Sequence, residues 1–359
     1  MVDWDLAVTT AATVISGGPR VGVTEAADVV NELRRLTDVA EEHVAAYTGL
    51  SAQIDHPPVL VVDRPDWVRV NIEGLQVVMD PVIEKLQQAS PTKPTMGGLS
   101  AALKVVGAKA TGVQLGTVLG FFSSKVLGQY EVFSGAPGQL LLVAPNVVEV
   151  ERKLGVDPTD FRLWVCLHEV THRTQFTAVP WLREHFLAEV QAFVDATDLD
   201  PEALADRLRN GVSALADAVR NPDSKASMLD LIQTPAQRAV VNRLTALMTL
   251  VEGHAEFVMD GVGPDVVPTV EGIRARFNAR RATRNPLEKL LRRLLGIEVK
   301  MRQYAEGRRF VAAVVEQVGM EGFNRIWTSP QTLPLTSEIS APESWVARVH
   351  GAPASASAQ

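Results

Sequence analysis

The chain has 359 residues, enough to bury a large core as one domain or two closely joined halves. Hydrophobic residues make up 46% and charged residues 21%, an ordinary globular balance, and the net charge of −7 argues against a nucleic-acid binder. The single cysteine, Cys166, excludes an internal disulfide, fits a reducing compartment and reads as a small buried apolar residue.

The N-terminus opens acidic, with no basic flank before a short apolar run, so no signal peptide is expected. Gly17-Gly18-Pro19 breaks the chain, and Thr24 is the expected cap of a helix over about 25–48. His43 and His56 read as surface or loop residues. Val59–Val62 reads as a strand, with a helix following from about Trp67 to Leu86. Residues 90–98, rich in Pro and Gly, form the best internal linker. Val113–Phe122, the most apolar stretch, is too short to span a bilayer; the expectation is a cytoplasmic protein with no membrane partner.

Gly112, Gly116 and Gly120 share one face of a helix over about 99–127, a surface for close approach of a second helix. Residues 130–133 and 139–143 flank Ser-Gly-Ala-Pro-Gly and predict a hairpin, whose strand could pair with an extended peptide. Asp157-Pro158-Thr159-Asp160 predicts a helix start with Asp157 as N-cap. After Pro180, helices are expected over 181–196, 201–219, 235–260 (closed by Gly261), 270–281, 286–318 and 320–327. The segment from Pro330 reads as loop-rich and 351–359 as a disordered tail. The expected fold is mainly α (α+β), a single domain over 1–350 in two halves. Residues 1–150 are helical with the β hairpin, and 151–350 carry the metal-site helices.

The helix begun by Pro158 contains His168-Glu169-Val170-Thr171-His172, a His-Glu-x-x-His motif. Residues four apart on a helix stack on one face, so His168 and His172 can offer two imidazole nitrogens to one metal ion. Glu169 is offset by one residue, placed to take a proton from a water held by that ion. Zinc needs a third protein ligand. The metzincin extension fails, because Gln175 and Ala178 stand where Gly and His are required. His185 follows Pro180 at no supporting spacing. Glu252, Glu256 and Asp260 lie four apart on the 235–260 helix and offer one ligand and one supporting carboxylate. His254 points elsewhere on that helix, toward the site rim or a reaction intermediate.

His-Glu-x-x-His followed by a helix carrying Glu252-Gly253-His254-Ala255 resembles the gluzincin arrangement of zinc metallopeptidases. The resemblance implies Glu252 as third ligand with Glu256 in support. The aminopeptidase Gly-x-Met-Glu-Asn segment is absent. A wider resemblance runs over Trp4-Asp5, Gly112–Gly120, Leu163–His172, Phe176, Pro180-Trp181-Leu182, Glu252–Glu256, Lys300, Gln303-Tyr304 and Gly307. These residues resemble a zincin-like family of zinc-dependent metalloproteases with a helical core, some of whose members are labelled as associated with deazaflavin-coenzyme biosynthesis.

The expected activity is that of a Zn²⁺ hydrolase acting on a peptide or other amide. Glu169 serves as base, and Tyr304, His254 and Tyr130 are the candidate oxyanion donors. The alternative is a non-catalytic zinc-holding scaffold. A basic run from Arg274 to Arg293 reads as a solvated helical face rather than a polyanion site.

Overall fold

The computed structural model describes residues 2–89, 99–196, 235–282 and 297–351. Elements are numbered among these residues. The helices that position the site are α6 (Pro158–Ala178) and α8 (Pro235–Gly261), with α2 (Val23–Thr48) and α10 (Ile297–Phe323) on their outer flanks. A three-stranded sheet has the order β1-β3-β2. Strand β1 (Leu60–Val62) runs parallel to β3 (Gln139–Val143), and β2 (Gly128–Glu131) runs antiparallel to it, with Tyr130 opposite Leu140. The expected hairpin is therefore present, with β2 at the sheet edge.

Helix α6 starts as expected. The Asp157 side chain accepts from the Asp160 N–H at 3.0 Å and Pro158 occupies the first turn. It then runs through the interior, where Phe161, Trp164, Val165 and Val170 meet Leu33, Leu36, Ala40 and Val44 of α2. Each fully buried residue such as Phe161 contributes roughly 1.5–3 kcal/mol relative to exposure. Leu140 and Leu142 of β3 join the same cluster, which fixes the sheet against α6. Leu247, Leu250 and Val251 of α8 pack with Phe310, Val311 and Val314 of α10 in a second cluster.

Helix α1 (Trp4–Val14) lies along α4 (Leu99–Ser123), and α3 (Arg64–Ala89) packs beside both. The glycine stripe forms the α1–α4 contact: a Cβ at Gly112 or Gly116 would overlap the Asp3 or Ala7 carbonyl. A second glycine contact joins α8 to α10. A Cβ at Gly253 would overlap the Gly307 backbone, and one at Gly307 would overlap the Thr249 carbonyl.

Several expectations need correcting. Helix α2 begins at Val23 behind Gly22, without a side-chain cap, so Thr24 is inside it. Helix α8, by contrast, ends at Gly261 as expected, and the missing side chain there makes room for the Tyr47 ring. The segment from Pro330 is largely helical. A 3-10 turn over Pro330–Thr332 is followed by α11 (Thr336–Ser340) and α12 (Pro342–His350), held by fully buried Trp345 and an Arg348–Glu338 ion pair. The expected break after residue 318 falls at Gly319, whose φ of 71° interrupts α10. The remaining helices are α5 (Ala144–Leu154), α7 (Pro180–Asp195) and α9 (Val270–Ala282). The expected linker over 90–98, the helix over 201–219 and residues 352–359 of the expected tail lie outside the described residues. Among the described residues, no helix is long and apolar enough to cross a membrane.

Candidate metal centre

His168 and His172 project from the third and fourth turns of α6 toward α8, as i and i+4 residues must. Their Nε2 atoms are 3.2 Å apart. One Oε2 of Glu252, from α8, lies 3.7 Å from each of them. These three residues are the group among the described residues whose donor atoms, within 4.8 Å of one another, could hold a metal ion. Glu256, one turn further along α8, is not part of it and lines a neighbouring cavity instead.

The geometry fits zinc. Ligand atoms about 2.0–2.1 Å from a tetrahedral zinc stand roughly 3.3 Å apart, close to the separations found here. Two imidazoles and one carboxylate are donors that zinc accepts, and three protein ligands leave a fourth position for water.

Glu169 is 7% exposed beside this group. Burial, and behind it the Glu252 carboxylate, holds its carboxyl well above the usual carboxylate range. Strand β2 makes room for it. A Cβ at Gly128 would come within 2.6 Å of Glu169 Cδ, so a side chain there would displace the Glu169 carboxylate from this position.

Glu169 and His168 stand between two cavities. One, of about 390 Å³, runs under β2 and is walled by Tyr130, Phe133, Phe176, Phe186 and Met248, with His172 and Glu252 at its floor. The other, of about 210 Å³, lies toward α9 and includes Lys125, Glu256 and Arg274. Arg274 forms an ion pair with Asp260.

Tyr130 stacks on Phe176 with ring centres 5.5 Å apart and donates its hydroxyl to the Pro137 carbonyl at 2.7 Å. Burial, partly offset by Arg173 and Arg183, pushes the phenol up to about 12, so it stays a proton donor. His254 is fully buried, stacked on Phe323 and edge-on to Trp327. Burial, then the neighbouring His172, lowers it to about 3. It faces the protein interior, not the cleft rim. Its Nδ1 lies 2.9 Å from Gln175 Nε2, and Gln175 Oε1 lies 3.1 Å from His172 Nδ1. Tyr304 is on α10, but its side chain lies outside the described residues. His185 packs edge-on against Trp181.

Sequence reasoning passed over Gln175 and Gly128. Gln175 carries a local signal, since it sits three residues after His172 on the same helix face. Gly128 carries none, because its role depends on where the strand crosses α6.

Residues 2–346 match the sequence profile of a family described as zincin-like metallopeptidase. The chain belongs to the zincin-like metallopeptidase family. The fold is similar to the crystal structure of a protein from Chloroflexus aurantiacus described as a "putative hydrolase with a novel fold". That similarity has a TM-score of 0.69 and 28% sequence identity, over 98% of this chain and 100% of that one. No curated protein matches. The zincin-like assignment accords with a mainly helical fold, a small sheet and a His-His-Glu group on two adjacent helices.

Proposed function

We propose that the protein is a zinc-dependent hydrolase that cleaves amide bonds in peptides. The observation that carries this reading is the convergence of His168 and His172 from one helix and Glu252 from another, with the buried Glu169 carboxylate alongside. When bound, zinc supplies Lewis acidity, polarising a carbonyl and acidifying water.

The chain's own residues do the rest. Glu169 takes a proton from the attacking water and passes it to the departing amine. Its place beside His168 and His172, buried and away from bulk water, suits both transfers. The edge of β2, unpaired among the described residues, borders the larger cavity and can pair with an extended substrate backbone, and the aromatic residues lining that cavity can take an apolar side chain. A peptide is favoured over a compact amide because it alone satisfies a strand edge. The buried His254 acts through its neighbours and not on substrate.

Zinc reconstitution tests this. The metal-free protein should bind one zinc per chain and, only when loaded, cut members of a mixed peptide library read by mass spectrometry. Stoichiometric zinc with no cleavage would favour the alternative, a zinc-holding scaffold.

A further inference from the structure

The amide of Gln175 bridges three partners that belong to different parts of the site. Its Nε2 lies 2.9 Å from the Val251 carbonyl and 2.9 Å from His254 Nδ1, while its Oε1 lies 3.1 Å from His172 Nδ1. Gln175 and His254 are fully buried, so neither exchanges these contacts for water.

A carbonyl oxygen can only accept. The Val251 carbonyl therefore requires the nitrogen end of the Gln175 amide to face α8, and the oxygen end must then face His172. An amide oxygen also only accepts, so His172 must carry its proton on Nδ1. That leaves the lone pair of His172 on Nε2, the atom 3.2 Å from His168 Nε2 and 3.7 Å from Glu252. The second hydrogen of Gln175 Nε2 goes to His254 Nδ1, which places the proton of His254 on Nε2. The flat stacking of His254 on Phe323, at an interplanar angle of 22°, holds that acceptor in place.

We propose that Gln175 is a positioning residue for the metal centre: it sets the tautomer and ring angle of His172, and it is itself oriented by the Val251 carbonyl and His254. The proposal rests on the reading of His168, His172 and Glu252 as a metal site. It assigns to the His254 of the Glu-Gly-His segment a structural link between α8 and the ligand on α6. One main-chain carbonyl on the helix that supplies Glu252 thereby decides which nitrogen of His172 faces the ion.

Two measurements test it. Long-range ¹H–¹⁵N spectra of the metal-free protein at pH 8 should show His172 as the Nδ1–H tautomer and His254 as the Nε2–H tautomer. The reverse tautomer at His172 overturns the proposal without touching the metal reading. Zinc affinity, measured by competition with a chelator, should then weaken about 10- to 100-fold in Gln175→Met. His254→Phe, which keeps the stacking, should weaken zinc severalfold in the native background and not at all in Gln175→Met. Native-like affinity in Gln175→Met, or equal losses from His254→Phe in both backgrounds, overturns it. If the native chain binds no zinc, the metal reading falls and this proposal falls with it.

Discussion

Glu169 and Gly128 form a pair in which the absence of one side chain makes room for the other. An added methyl at residue 128 would sit 2.6 Å from Glu169 Cδ, so the carboxylate must swing away while the backbone stays. Gly128→Ala should lower kcat about 100-fold, the cost of a misplaced base, with zinc affinity little changed. Titrating zinc and measuring turnover on the same sample separates the two effects. Glu252→Gln should do the opposite and lose zinc first, since it removes the charged ligand. Cys166 is buried with its thiol pushed up to about 12, chiefly by burial, so at pH 8 almost none is thiolate. A thiol reagent should label it only after denaturation; rapid labelling of the folded chain would contradict its placement. His168, Glu169 and His172 were legible in the sequence because helical spacing alone brings them together. Gly128 was not legible, because Glu169 reaches it only through tertiary packing; Gln175 offered only its spacing from His172, and its link to His254 also comes from tertiary packing.

Among the elements, the crossing of α8 and α10 is a tight constraint near the site. Gly253 and Gly307 face each other there, one residue from Glu252. Gly307→Ala would press a methyl into the Thr249 carbonyl and should cost about 1–3 kcal/mol, read from the urea midpoint. Because the same displacement moves α8, zinc affinity should fall with it; unchanged stability would mean that the two helices are not held this closely. The start of α6, the β2–β3 hairpin and the break at residue 319 could be read from Asp157-Pro158, the Gly-Ala-Pro-Gly turn and Gly319. The C-terminal helices could not. They are short, begin at Pro330, Thr336 and Pro342 without a long periodic stripe, and are anchored by Trp345 in a core that α8 and α10 build.

For the whole molecule, the three candidate ligands come from α6 and α8, and α6 also carries the contact with α2 from the first half of the chain. Among the described residues, these contacts tie the site helices to the first half of the chain. Zinc bound at 100 times its dissociation constant should add about 2.7 kcal/mol to stability, seen as a higher melting temperature that a chelator reverses. Glu252→Gln should lose most of that shift.

The central claim is tested most directly by comparing native protein and Glu169→Gln at equal zinc content on the same peptide library. The account predicts one zinc per chain in both, cleavage by the native protein, and turnover reduced by about 100- to 10,000-fold in the variant. Equal cleavage by the two zinc-loaded proteins would contradict it.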